Sequence, residues 1–123
     1  MLKSILIVGA GSFVGGALRF YISHLMKHIS GSGFPWGTLF VNLLGCLFFG
    51  IIYGLFCRFG TPSNSWCLLL TTGLCGGFTT FSTFAYEGQQ MLLNGEYWGF
   101  VSYAGISVCF GITLVCLGVW AVK

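Results

Sequence analysis

Charged positions divide this chain into long apolar stretches. No Asp, Glu, Lys or Arg occurs between Lys27 and Arg58, between Arg58 and Glu87, or between Glu96 and Lys123. A helix crosses the hydrocarbon core of a bilayer with roughly 20 apolar residues, so each stretch predicts a span. Helix 2 is expected over about Pro35–Cys57, helix 3 over about Ser65–Leu93 and helix 4 over about Tyr97–Val122. Helix 1 runs from about Lys3 to Lys27 and carries a lone charge, Arg19. Polar, glycine-rich loops separate them: Ser30-Gly31-Ser32-Gly33, Gly60-Thr61-Pro62-Ser63-Asn64 and Asn94-Gly95-Glu96. Trp36, Trp66, Trp98, Trp120, Tyr86 and Tyr97 fall near the ends of the spans, where amphipathic rings meet the headgroups. The apolar start of helix 1 continues through Gly9, Gly11, Gly15 and Gly16 without a cleavage site, and reads as a span rather than a signal peptide.

Composition removes the soluble alternatives. Of 123 residues, 5 are Lys or Arg and 2 are Asp or Glu, so 6% are charged, against about 25% in a soluble domain. Five scattered cations make no basic patch, which excludes nucleic-acid binding. The length holds four spans with short loops, a single four-helix domain over 1–123. The expected fold is an all-α, multi-pass membrane protein.

Four spans put both termini and the second loop on one side. That side carries Lys3, Arg58 and Lys123, and the other carries Lys27. Three against one is a weak positive-inside bias, compatible with insertion in both orientations and hence with an antiparallel dimer. The six cysteines, Cys46, Cys57, Cys67, Cys75, Cys109 and Cys116, form no Cys-x-x-Cys pair and read as small apolar fillers.

Glycine accounts for 20 residues, well above its ~7% average share. Gly11-x-x-x-Gly15 and Gly50-x-x-x-Gly54 have the spacing of close helix packing. The segment Gly76-Gly77-Phe78-Thr79-Thr80-Phe81-Ser82-Thr83-Phe84 is different, with paired glycines in mid-span followed by four hydroxyls. It predicts a third helix broken mid-membrane at Gly76–Thr80, which is tolerated only inside protein or beside a water-filled cavity. Such breaks free carbonyls for cations and helix N-termini for anions. Phe81 and Phe84 are then placed on one helix face, with Thr80 and Thr83 on a neighbouring strip. Positive ring edges alternating with hydroxyls suit a small anion, while the same rings could equally face lipid.

Other polar groups lie within the spans. Asn42 is either glue between helices or a pore ligand. Arg19, without an acid in its own span, must snorkel, meet carbonyls or face a polar cavity. Tyr103 and Ser107, four apart on helix 4, offer a second hydroxyl track, and Glu87 falls near an aqueous mouth. His24 and His28 sit near a span end as interfacial residues. With no nucleophile–base pair, phosphate loop or paired carboxylates, the pattern gives no support to an enzyme.

Gly15-Gly16-Ala17-Leu18-Arg19-Phe20, Gly37-Thr38-Leu39-Phe40-Val41-Asn42-Leu43-Leu44-Gly45 and the Gly76–Phe84 segment together resemble the Fluc (CrcB) family of fluoride channels over essentially the whole chain. The resemblance implies a dual-topology, antiparallel homodimer in the cell membrane. Two fluoride pathways would run along its interface and export cytoplasmic fluoride passively. It implies that Phe81 and Phe84 are pore phenylalanines and that Asn42 donates to the ion. Backbone carbonyls of Gly76 and Thr79 from both subunits would hold a structural Na⁺, and Arg19 would stand at a vestibule. Thr38 and Glu87 match polar positions near one pore end, Thr80, Ser82 and Thr83 supply hydroxyls, and Tyr103 and Ser107 match the helix 4 track. Gly111 stands where that track would continue with another hydroxyl.

Two other classes compete. A small multidrug-type proton-coupled transporter shares the length and topology but needs an intramembrane acid, typically in helix 1, where this chain has Arg19. A non-conducting assembly subunit would need only the glycine faces and leaves the Thr/Ser/Phe cluster without a purpose.

Overall fold

The computed structural model describes residues 1–30 and 33–123; Gly31 and Ser32 of the expected first loop lie outside the described residues. The described residues are helical with no strand, and four helical stretches among them are long and apolar enough to cross a membrane. The first is α1 (Leu2–Ser30), slightly longer than its charges predicted, and the second is α2 (Trp36–Arg58). The third stretch, Ser65–Leu93, contains α3 (Ser65–Leu68), π-type turns over Leu69–Cys75, α4 (Gly76–Phe78) and α5 (Ser82–Leu93). The fourth is α6 (Tyr97–Ala121).

Local chemistry sets the ends. Asn64 caps α3, its side-chain oxygen accepting from the Trp66 N–H at 2.7 Å. Gly60 (φ +74°) and Gly95 (φ +75°) adopt the left-handed conformation that closes α2 and α5. At each, the next residue's N–H returns to the carbonyl five positions back, Thr61 to Phe56 and Glu96 to Met91, both at 2.8 Å.

The spans pack in two parallel pairs, first on third and second on fourth. Gly11 lies against Leu69 and Gly73, and Gly15 against Leu74 and Phe78, so α1 runs alongside the π-type turns and α4. Gly50 meets Val115, Gly54 meets Val119 and Gly118 meets Leu47 and Ile51, which joins α2 to α6 in register. A Cβ on Gly15 would overlap the Leu74 carbonyl oxygen, and one on Gly50 the Val115 carbonyl oxygen. Both Gly-x-x-x-Gly faces therefore serve helix packing, by bringing backbones together where lipid supplies no hydrophobic drive.

Gly76 and Gly77, expected at a helix break, are helical, and the backbone departs only at Thr79, which is extended (φ −88°, ψ 160°). Gly77 is instead a packing residue: a Cβ there would stand 2.7 Å from the Ser12 Cα. The non-helical residues are Thr79–Phe81.

Few side chains of the described residues are buried. A small core of Leu39, Met91 and Tyr103, joined by Phe34, Leu43, Phe84, Phe100 and Ile106, lies between α2, α5 and α6. Most large apolar side chains are exposed, as they are in a chain whose solvent is hydrocarbon. Trp36, Trp66, Trp98, Trp120, Tyr86 and Tyr97 are all among the exposed residues.

Candidate functional site

The site is organised by one side-chain amide. Asn42, in the first half of α2, reaches the non-helical residues of the third span. Its Nδ2 donates to the Thr80 carbonyl at 3.0 Å, and its Oδ1 accepts from the Thr80 N–H at 2.7 Å. Backbone groups that leave a helix inside a membrane have no water to turn to, and an amide offers both a donor and an acceptor. Asn42 is thus glue between two spans; the second hydrogen of its NH₂ group is not used by Thr80.

Two carbonyls lose their ordinary donors as a result. The Thr80 N–H, four residues on from Gly76, is turned to Asn42. The Thr83 N–H, four on from Thr79, donates instead to the Thr80 hydroxyl at 3.2 Å and starts α5. The carbonyls of Gly76 and Thr79 are thereby released from the helical pattern. Cys75 shows the opposite: its carbonyl accepts both the N–H and the hydroxyl of Thr79, each at 3.0 Å.

Hydroxyls cluster at the start of α5. Thr80 Oγ1 donates to Thr83 Oγ1 at 3.3 Å and lies 3.4 Å from Ser82 Oγ. Beside them the Phe81 and Phe84 rings tilt against each other with centroids 5.7 Å apart. Phe81 is 78% exposed, whereas Phe84 packs inward on the Tyr103 ring at 5.0 Å. Tyr103 is fully buried, and its hydroxyl donates to Glu87 Oε1 at 3.0 Å. One turn further along α6, the Ser107 hydroxyl is buried without a hydrogen-bond partner among the described residues.

An open cavity of about 550 Å³ lies beside this cluster. Thr38, Thr80, Thr83 and Glu87 line it on one side, and Arg19, Ser23, His24 and Lys27 of α1 on the other. Of the three alternatives open to Arg19, the residue combines two: its Nε donates to the Gly77 carbonyl at 3.2 Å while the residue lines the cavity. Gly76, Asn42, Phe81, Phe84 and Ser107 do not line it.

Sequence reasoning passed over several participants. His24, read as interfacial, and Lys27, read as the charge that ends the first span, line the cavity with Arg19. Arg19, Ser23 and Lys27 recur every fourth residue, a stripe legible in the sequence. Ser12 donates to the Gly73 carbonyl at 3.3 Å within the first–third span contact. Phe34 stands edge-on to Tyr103 at 5.6 Å, and no periodic signal marks it.

Comparison with known proteins bears on these residues as a set. Residues 6–119 match the family model described as CrcB-like protein, Camphor Resistance (CrcB). A relative named fluoride-specific ion channel FluC, from Leptospira interrogans, is 42% identical over 121 residues, covering 98% of this chain and 95% of the relative. One of the same name from Phocaeicola vulgatus is 44% identical over 119 residues, covering 97% and 98%. Another, from Chloroflexus aurantiacus, is 39% identical over 118 residues, covering 96% and 94%. These relatives are named for ion conduction, not for an enzymatic reaction. With four spans and a match running almost from end to end, this multi-pass membrane protein belongs to the CrcB family.

Proposed function

We propose that the protein is a fluoride-selective channel through which cytoplasmic fluoride leaves the cell passively across the cell membrane. In this reading it works as an antiparallel, dual-topology homodimer, with the third helix of each subunit interrupted in mid-membrane. Two pathways run along the dimer interface, and a structural Na⁺ lies at its centre. Full-length relatives named as fluoride-specific channels support the ion. The observation that carries the mechanism is the Asn42–Thr80 pair, which holds the non-helical turn of the third span where the Thr80 and Thr83 side chains stand on the wall of the cavity.

Fluoride is small and strongly hydrated, so a pathway must replace water with donors that do not hold the ion too long. Arg19 and Lys27 bring positive charge to the α1 side of a cavity that Glu87 and Glu96 also line, so an entering anion is drawn toward α1. The hydroxyls of Thr80, Ser82 and Thr83 and the free amide hydrogen of Asn42 then take the place of water. The edges of Phe81 and Phe84 add weak attraction, and Ser107, whose hydroxyl meets no partner among the described residues, supplies a donor along α6 one turn from Tyr103. Glu87 lines the same cavity, and the Tyr103 hydroxyl donates to one of its carboxylate oxygens.

The donor set fits Na⁺, a hard cation that takes oxygen ligands. The Gly76 and Thr79 carbonyls lack their helical donors, and no charged side chain is needed to bind through them. Paired across a dimer, they would hold an ion whose chemistry is to supply fixed positive charge near the anion path. The test is fluoride efflux from liposomes containing the purified protein, followed with a fluoride electrode. Fast fluoride release with chloride nearly excluded is expected, and Phe81→Ile or Phe84→Ile should slow it roughly tenfold or more, a barrier change of about 1.4 kcal/mol. Ready chloride flux, or unchanged fluoride flux in both variants, would sink the proposal.

A further inference from the structure

The close contact between the first and third spans begins at Gly11, which lies against Leu69 and Gly73. Nearer the starts of the two helices, a groove of about 620 Å³ opens between them. Leu2, Leu6 and Ala10, one turn apart on α1, form one wall, and Leu69 belongs to the other. The lining turns polar only at the end where both helices start, with Lys3, Ser65 and the exposed Trp66. From Leu2 to Ala10 the groove follows about 12 Å of helix, against a hydrocarbon depth of about 15 Å for one leaflet. That is the path of a lipid acyl chain entering from the headgroup level.

Charge decides which lipid. Lys3, Arg58 and Lys123 lie at this end of the spans, whereas both acids of the chain, Glu87 and Glu96, line the cavity at the other end. Lys3 therefore stands at a membrane surface where no Asp or Glu side chain neutralises it. We propose that the groove is a binding site for an anionic phospholipid, with one acyl chain lying between Leu6 and Leu69 and the phosphate held by the Lys3 ammonium beside the Trp66 ring. A zwitterionic lipid fits the same apolar walls, but Lys3 adds attraction only for a headgroup of net negative charge. Trp66 brings an amphipathic ring to the level where headgroup and chain meet. The site lies at the opposite membrane surface from the cavity that Arg19 and Glu87 line, and it does not depend on fluoride conduction.

The test uses a full-length chain in which Trp66 is the single tryptophan, made by Trp36→Phe, Trp98→Phe and Trp120→Phe. It is placed in phosphatidylcholine vesicles holding a small, equal fraction of brominated phosphatidylglycerol or brominated phosphatidylcholine. Bromine on an acyl chain quenches a tryptophan that it touches, so quenching of Trp66 reports the lipid in the groove. Phosphatidylglycerol is expected to bind about fivefold more tightly, equivalent to about 1 kcal/mol, the worth of one lysine at an anionic surface. Lys3→Gln should remove the preference and Lys3→Arg keep it. Lys123→Gln, on the same side but outside the groove, should leave it intact. Equal quenching by the two lipids, or a preference that survives Lys3→Gln, would overturn the proposal. So would an equal loss in Lys123→Gln, the mark of a general surface potential, or a Trp66 that neither lipid quenches, the mark of a second copy seated on the groove. Size-exclusion profiles check folding; if the single-tryptophan chain fails there, native mass spectrometry of the wild type and Lys3→Gln from mixed vesicles decides. Fewer retained phosphatidylglycerol molecules are then expected for Lys3→Gln, and equal numbers overturn the proposal.

Discussion

At the scale of single residues, the deciding contact is Asn42 with Thr80, which uses an acceptor and a donor on the same amide. Removing it leaves a backbone N–H and a carbonyl unmet within the protein, each at about 1–3 kcal/mol. Asn42→Leu is therefore expected to lower the melting temperature in detergent and to abolish fluoride flux. Asn42→Asp keeps the acceptor for the Thr80 N–H and should fall between Leu and the wild type in stability. If Asn42→Leu melts with the wild type, the amide does not hold the third span in place. Asn42 stood out in the sequence because a carboxamide in an apolar run must find partners, yet its partner could not be read there. The choice of Thr80 depends on how far along the third span the helix continues, and that is settled by contact with α1.

Elements were legible to the degree that a simple physical rule governs them. Hydrocarbon excludes charge, so Lys27, Arg58, Glu96 and Lys123 bracket the spans within a few residues of their observed ends. The rule that glycine pairs loosen helices pointed at Gly76 and Gly77, whereas both are helical and Gly77 packs on Ser12. A local propensity lost to a tertiary contact from a span some sixty positions away, which no short-range pattern records. The π-type turns at Leu69–Cys75 coincide with the close contact of Gly73 on Gly11 and had no sequence signal. This contact makes a sharp prediction. Gly15→Val must push its side chain into the Leu74 carbonyl and should cost about 1–3 kcal/mol of stability. Gly105→Ala, with nothing within 4 Å of the added methyl, should leave the melting temperature nearly unchanged. Equal behaviour of the two would mean that the first and third spans are not in this close contact.

Across the whole molecule, exposure is the dominant fact. Phe13, Phe20, Phe81, Phe110 and Trp98 all lie more than half exposed, and a chain this thinly cored has much surface left to cover. Lipid can cover it, and in the proposed function a second copy covers part of it. The proposed central Na⁺ then links assembly to ionic conditions. Ions that bind only the assembled state stabilise it by mass action. The dimer is expected to melt higher, and to exchange subunits more slowly, in sodium chloride than in N-methylglucamine chloride at equal ionic strength. Identical melting in both salts would remove the cation from the proposal.

The pairing of spans also has a consequence for how the chain is made. Neighbouring elements usually pack on each other, but here the closest pairings skip one, first with third and second with fourth. While the ribosome is still delivering the third span, the glycine faces at Gly11–Gly15 and Gly50–Gly54 have nothing to meet. The Gly50–Gly54 face of the second span must wait for α6, since Gly54 seats against Val119 and Val122. The α2 glycine face is therefore completed only by α6: in a nascent chain stalled before Tyr97, Asn42 can already hold α2 to the third span while Gly50 and Gly54 stand unpartnered, the form a quality-control protease is best placed to find.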